Sequence, residues 1–406
     1  MLDKRYLHVF NDDKFIDPAI DLFEANKPNN SRYFILTKNG DKFKYVTSAL
    51  AEQVIISNDN DLFLFIEKIN SLPSKYVFLH ALDNLKINIV NQLNEDLIKV
   101  WFIWGYDLYG NWEILQNKIY TKATKQAYKK QSLKKRVRDK IVFNDLSFSL
   151  FLKLEQVNFK MPKFISNILN NNFNTPYYRA LQKIDVVAPV LPKEYELVKK
   201  LGVKIDYAPF TYGCIEDLLG NNIKANVFEA PNILLGNSAD PTNNHIDIIK
   251  QLAKINLGSR KVYVPLSYGG NGSYINHVIQ IGEKCLGKNF IPLKTFMPLE
   301  TYNEILLSCG TLIFNHIRQQ GIGNIISAGY LGAKIFLNKK SPAYSYYKSI
   351  GLHVYNVSQI NNKNINVLLT STQIQLNRDL LLSIYSFQAV QEKIDILFEI
   401  VESKNG

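Results

Sequence analysis

Three cysteines, Cys214, Cys285 and Cys309, are all that the 406 residues hold, and no two are spaced CxxC. A disulfide scaffold and a cysteine-built zinc site are therefore not expected. Glycine (20) and proline (14) are scarce, which excludes collagen-like and low-complexity architectures. A spanning helix needs roughly 20 mainly apolar residues, and the most apolar stretches, Val100–Tyr106 and Leu380–Val390, are much shorter. The opening MLDKRYLHVFNDDKF puts charges where a signal peptide needs an apolar core, so export is not expected. What the chain does have is core material. Hydrophobic residues are 46% and aromatics 12%, too many for a disordered chain, and the length fits two domains of ordinary size.

Acidic residues number 36 against 48 basic, a net charge of +12. The excess is local: Lys118 to Lys140 holds ten Lys or Arg and one acid, Asp139, a surplus of nine. Such a run is ordinarily a solvated helix face. Here Lys118, Lys122, Lys125 and Lys129 recur at helical spacing, with Lys130 beside them and Trp112, Tyr120 and Tyr128 interleaved. That pattern suits a helix resting on an anionic membrane surface. Nucleic acid is not expected as a partner, since no recognised binding module accompanies the charge.

Short apolar runs alternate with helical stretches. Tyr6–Phe10, Arg32–Leu36, Val54–Ile56, Tyr76–His80, Val100–Trp104, Ile184–Ala188 and Lys204–Tyr207 read as strands of a first βα series. Asn221–Ala230 is polar and irregular, as a linker would be. Asn232–Leu235, Lys261–Val264, Phe290–Pro292, Thr311–Phe314 and Lys334–Leu337 read as strands of a second series, and roughly Gln373–Ser403 as a helical tail. The expectation is an α/β chain of GT-B layout: two Rossmann-like doubly wound domains, residues 1–220 and 231–372, facing a cleft, with a tail at 373–406. Ligands of such sheets bind at the carboxyl ends of the strands. Other two-domain α/β enzymes, and a non-catalytic sugar- or nucleotide-binding protein, fit the same rhythm.

Four polar segments fall at predicted strand ends. Asn11-Asp12-Asp13-Lys14 follows the first strand, beside His8. A carboxylate there can take a proton from an acceptor hydroxyl, or merely cap the next turn. Trp104-Gly105-Tyr106-Asp107 ends an aromatic strand; its rings suit sugar faces and Asp107 suits hydroxyls, while core packing and a helix cap are the plain alternative. Asp13 is the first candidate for the catalytic base and Asp107 the second, with His8, Asp12, Trp104 and Tyr106 as acceptor contacts. Gly236-Asn237-Ser238 leads to Thr242 and His245, where helix-start N–H groups and hydroxyls suit a diphosphate, unless this is an ordinary capped turn. Arg318-Gln319-Gln320-Gly321-Ile322-Gly323 offers a guanidinium for a departing nucleotide and glycines for close backbone approach. Tyr268 ends the strand between these two. Neither a GxGxxG nor a Walker motif is present, and the six histidines and three cysteines form no metal-ligand pattern, so no metal and no cofactor are expected.

These segments, in this order and approximate spacing, resemble glycosyltransferase family 56, the TDP-4-acetamido-4,6-dideoxygalactose (TDP-Fuc4NAc):lipid II transferases, a 4-alpha-L-fucosyltransferase family. The Arg318–Gly323 stretch and the Gly236-Asn237-Ser238 turn are the most specific. The resemblance implies a GT-B fold and a TDP-sugar donor held by the C-terminal domain. It also implies a polyprenyl-diphosphate-linked saccharide acceptor at the N-terminal domain, and a peripheral enzyme at the cytoplasmic face of the inner membrane.

Overall fold

The computed structural model describes residues 5–116, 118–128, 142–143, 145–156 and 173–405. The chain divides into two compact units. Unit 1 is Met1–Ile114, Ile141–Cys214 and Phe387–Gly406; unit 2 is Leu115–Lys140 and Ile215–Ser386. Each is built on one parallel sheet.

In unit 1 the strands are β1 (Tyr6–Asn11), β2 (Ser31–Thr37), β3 (Ala51–Ile55), β4 (Tyr76–His80), β5 (Ile98–Ile103), β6 (Val186–Pro189) and β7 (Asp206–Tyr207). Their order is β3-β2-β1-β4-β5-β6-β7. β1, β4 and the last five residues of β5 are almost wholly buried, as strands covered by helices on both faces must be. One face packs Tyr6, Phe10, Phe78 and Phe102 against Phe23 and against Val390, Ile394, Leu397 and Phe398. Those last four lie on the helix Phe387–Glu402, whose buried positions recur at three- and four-residue steps. Each such side chain contributes about 1.5–3 kcal/mol by burial, and the Lys27–Glu402 ion pair fastens the helix end.

In unit 2, β8 (Ile233–Leu235), β9 (Val262–Pro265), β10 (Phe290–Leu293), β11 (Thr311–Phe314), β12 (Lys334–Leu337) and β13 (Val354–Asn356) lie in the order β10-β9-β8-β11-β12-β13. The βα rhythm thus delivers the expected pair of doubly wound sheets. β13 and the helix Pro342–Ser349 were not anticipated, because three residues of strand carry no readable alternation.

The boundaries differ from the expected ones. The tail is two helices, Ser371–Tyr385 and Phe387–Glu402, interrupted where Ser386 is extended. The first belongs to unit 2 and the second to unit 1. The supposed linker is packed: Val227 is buried and its N–H donates to Leu331 O within unit 2. The basic helix Lys122–Tyr128 also belongs to unit 2, not to the N-terminal unit. Thr121 and Ala123 bond Asp247 there, and Ala123 and Ala127 pack on the unit 2 core.

Candidate active site

In each sheet the strand order reverses once, between β1 and β4 in unit 1 and between β8 and β11 in unit 2. Loops leaving neighbouring strands part at such a switch point and open a crevice at the strand ends. All four predicted segments leave strands at or beside these two points.

At the unit 2 switch point the turn after β8 and the turn after β11 are knitted together. Gly236 has φ of 71°; a Cβ there would sit 2.7 Å from His245 Nε2, so only glycine fits. The Asn237 N–H donates to Asn243 Oδ1 (3.0 Å), and Ser238 Oγ accepts from Asn243 Nδ2 (3.1 Å) and Gln320 Nε2 (3.1 Å). Thr242 Oγ1 accepts from Arg318 Nε (3.1 Å) and bonds Gln320 Oε1 (2.8 Å) and Asp240 Oδ1 (2.5 Å). Arg318 Nη1 donates to Gln319 O, and Nη2 lies 3.8 Å from Asp240 Oδ2. The guanidinium is placed without a close ion pair. Gly321 has φ of 65° at the N-cap of the helix Ile322–Tyr330, where a Cβ would meet Phe314 at 2.7 Å.

The buried polar groups here are not all satisfied. Asn237 Oδ1, His245 Nε2, Gln319 Oε1 and both ring nitrogens of His316 have no hydrogen-bond partner. Buried polar atoms are nearly always paired, so a cluster of orphans marks a place built for a ligand's polar atoms. Burial depresses both imidazoles to about 3, with Arg318 adding to the effect at His316, so both are neutral. The structure therefore brings together Gly236, Asn237, Ser238, Thr242, His245, Arg318, Gln319, Gln320 and Gly321. Tyr268 stands at the rim, its hydroxyl 3.5 Å from Asn237 Nδ2. Gly323 is different: it lies inside the helix, where an added Cβ would meet Leu218 at 3.3 Å, and serves packing.

The sequence reading missed what supports these turns. Asn244, left-handed at φ of 53°, accepts from the Thr121 N–H through Oδ1 and donates through Nδ2 to Asn315 O; Asn315 returns a bond to Asn244 O and accepts one from Asn338. Amides as far apart in the chain as Asn244, Asn315 and Asn338 give no periodic signal, although the Asn243-Asn244-His245 run was visible.

At the unit 1 switch point the carboxylates separate by role. Asp12 accepts the N–H groups of Lys44, Tyr45 and Val46; it holds a loop and is not an acceptor contact. Asp107 is fully buried and accepts from Leu82 N (2.9 Å), Trp101 Nε1 (2.7 Å) and Trp104 N (3.0 Å). It fastens the turn after β4, where Ala81 has φ of 62°, a position that costs a residue with a Cβ energy. Its expected second place as a base gives way to this bracing role. His8 is a core histidine, wholly buried, its Nδ1 3.1 Å from His80 Nε2; on β1 its side chain points into the aromatic layer of the core, away from any acceptor. Asp13 is the exception. It accepts only from the backbone of its own turn, from the Lys14 N–H and, at 3.4 Å, the Phe15 N–H, and burial raises its pKa, with the Lys14 charge working the other way. The ring of Phe15, two residues on, lies 6.1 Å from that of half-buried Trp104, and Tyr106 is exposed.

Of the proposed membrane residues, Trp112 is buried against Phe148, with ring centroids 5.5 Å apart, and is withdrawn from that role. Lys122 and Lys125 are exposed; Lys129 and Lys130 lie outside the described residues. Among the described residues no helix is long and apolar enough to cross a membrane, and no three His, Cys, Asp or Glu side chains group as metal ligands.

Comparison with known proteins agrees with this geometry. The family described as 4-alpha-L-fucosyltransferase glycosyl transferase group 56 matches residues 218–397, which contain the whole unit 2 constellation. Solved structures similar over nearly the full chain include a sucrose-phosphate synthase from Thermosynechococcus elongatus (TM-score 0.60, 10% identity, 98% of this chain and 100% of that one). A glycosyltransferase from Rickettsia africae (0.60, 11%, 99% and 100%) and Anabaena HepE in complex with UDP and glucose (0.60, 9%, 97% and 99%) are similar to the same degree. At such identities these establish the fold alone. With the fold from its sheets and the group 56 match over residues 218–397, this chain is a GT-B glycosyltransferase whose resemblance to family 56 lies in unit 2 and the first part of the final helix.

Proposed function

We propose that the protein transfers a fucose-like deoxy or acetamido-dideoxy sugar from a TDP-sugar to a lipid-linked saccharide at the inner face of a bacterial cytoplasmic membrane. The observation that carries the donor half is the unit 2 constellation, in which Arg318 and two glycine-bearing turns meet among unpartnered buried polar atoms, inside the region matched by a fucosyltransferase family. Arg318 takes the diphosphate; Ser238, Thr242 and the turn N–H groups surround it. In the transfer, the acceptor hydroxyl oxygen bonds the anomeric carbon and its proton passes to the Asp13 carboxylate. The bond from that carbon to the phosphate oxygen breaks, and its electron pair leaves on TDP, whose charge Arg318 offsets.

A thermal-shift series with TDP, UDP, GDP and ADP tests the donor. TDP is expected to give the largest shift, and a ligand at a hundredfold excess over its dissociation constant stabilises by about 2.7 kcal/mol. Arg318→Ala should weaken TDP binding roughly 10- to 100-fold, as expected for loss of charge-assisted bonds. Arg318→Lys should recover part, because an ammonium lacks the planar fork. Unchanged TDP affinity in the alanine variant removes Arg318 from the site, and equal shifts with all four nucleotides remove the TDP preference.

An acceptor fixed in a bilayer requires docking, and the exposed Lys122 and Lys125 of the helix Lys122–Tyr128 are the described part of the basic segment suited to it. Each lysine near an anionic leaflet contributes about 1 kcal/mol, screened by salt. Lys122→Glu with Lys125→Glu should lower co-sedimentation with anionic vesicles several-fold and leave neutral vesicles unbound. Parent-like sedimentation of the double variant places docking elsewhere.

A further inference from the structure

The unit 1 switch point carries a set of rings that the transfer scheme above leaves unused. Phe15, in the turn after Asp13, is 42% exposed, and Tyr106, at the start of the helix Tyr106–Asn111, is 41% exposed. Trp104 stands beside Phe15 and two positions before Tyr106 in the chain. Its ring centroid is 6.1 Å from that of Phe15 at 85°, and 5.5 Å from that of Tyr212 at 83°. Asp13 accepts the Phe15 N–H at 3.4 Å, so the carboxylate belongs to the same cluster.

Trp104 is held from beneath by a line of hydrogen bonds that runs into the core. The indole Nε1–H, a donor only, reaches Tyr212 Oη at 2.6 Å. Tyr212 Oη is 2.6 Å from His80 Nδ1, and His80 Nε2 is 3.1 Å from His8 Nδ1. One assignment of protons satisfies the most groups: the Tyr212 hydroxyl donates to a bare His80 Nδ1, and His80 Nε2–H donates to His8 Nδ1. Both imidazoles are then neutral, in keeping with burial that lowers both. Tyr212 is further clamped edge-on by Phe210, with centroids 4.7 Å apart. Three side chains, from β1, β4 and the segment after β7, thus fix one indole at the end of β5.

The geometry points to a saccharide platform: Phe15, Trp104 and Tyr106 take the apolar face of a pyranose ring of the acceptor while its hydroxyl meets Asp13, and Tyr212 is the positioning residue that orients Trp104. Aromatic faces attract the C–H face of a sugar, and a carboxylate beside them pairs with a hydroxyl. A prenyl or acyl chain laid on the same rings would shield the partly buried carboxylate from water and offer it no hydroxyl, which costs free energy, so a sugar is the better occupant. The proposal rests on the transferase reading above and names the part of the acceptor that unit 1 holds.

The test needs no nucleotide, so it fails or succeeds independently of the donor assignment. The chain has three tryptophans; Trp101 and Trp112 are 0% and 5% exposed, leaving Trp104 as the one a sugar can reach. Titration with methyl glycosides of glucose, galactose and N-acetylglucosamine should shift the tryptophan emission with at least one of them. Trp104→Phe should abolish the response. Phe15→Ala should weaken the glycoside roughly three- to tenfold, the effect of losing one aromatic contact, and Phe15→Tyr should restore it. Tyr212→Phe, which keeps the ring and removes the hydroxyl, should weaken it similarly, whereas a merely structural hydroxyl would lower the melting temperature and leave the glycoside affinity unchanged. No response to any glycoside, or an undiminished one in Phe15→Ala, overturns the platform. A response to farnesyl phosphate in place of the glycosides makes it a lipid-binding surface and overturns it as well.

Discussion

Asp13→Asn is expected to slow sugar transfer by about 10²–10⁴, the usual cost of losing general-base help, while TDP affinity and folding stay as in the parent. The neighbouring carboxylates explain why the effect should concentrate at this position. Asp12 and Asp17 hold the backbone of Lys44 to Ser48. Asp83 is bound to Lys86 and Asn11, and Asp107 is enclosed by three donors. Asp13 is bonded only by the backbone of its own turn, Lys14 and Phe15, and no distant loop or cation encloses it. Burial raises its pKa above the ordinary aspartate value, toward the range where a base works best at neutral pH. Since the base acts ionised, the rate should rise with pH through that raised value, and the rising limb should disappear in Asp13→Asn. The asparagine occupies nearly the same volume, so a fall in rate without a fall in melting temperature separates chemistry from folding. Near-normal turnover in this variant would give the proton to another group.

The second large effect is on stability in mild acid. His8 and His80 in unit 1, and His245 and His316 in unit 2, are wholly buried. Burial lowers all four, to about 3 for His245 and His316. A folded value below the unfolded one means that the unfolded chain binds more protons, so stability rises with pH. It is complete above the unfolded histidine value of about 6.5 and falls as pH drops below it toward the folded values. At pH 5 a histidine held near 3 costs about 2 kcal/mol relative to pH 7, hence roughly 4 kcal/mol in unit 2, and His8 and His80 act in the same direction in unit 1. For units of this size that is on the order of 10 °C in melting temperature. Raised carboxylates such as Asp13 and Asp107 act with the opposite sign, gaining stability as they protonate. Melting curves at pH 7.5, 6.5, 5.5 and 5.0 should therefore fall progressively below 6.5. A flat profile down to pH 5 would mean that these imidazoles acquire charge in the folded state.

Much of this protein is determined by local sequence. The alternation of buried strands with amphipathic helices is short-range, and it placed both parallel sheets and every polar strand-end segment. The Gly236 and Gly321 turns were legible because a left-handed backbone favours glycine. Roles among like residues were not. Asp12, Asp13 and Asp107 are the same side chain at similar strand ends, and only the N–H groups brought to them by distant loops divide two braces from one candidate base. His8 and Trp112 are likewise polar-capable residues that tertiary packing consigned to cores. The basic helix and the final helix each joined the unit opposite to the one their neighbours in sequence suggested. Which surface an amphipathic helix buries depends on the partner surface, and its own period carries no address. The hydrogen-bond line from His8 through His80 and Tyr212 to Trp104 joins residues more than a hundred positions apart; the strand order brings them within bonding distance, and no pattern along the chain encodes that meeting.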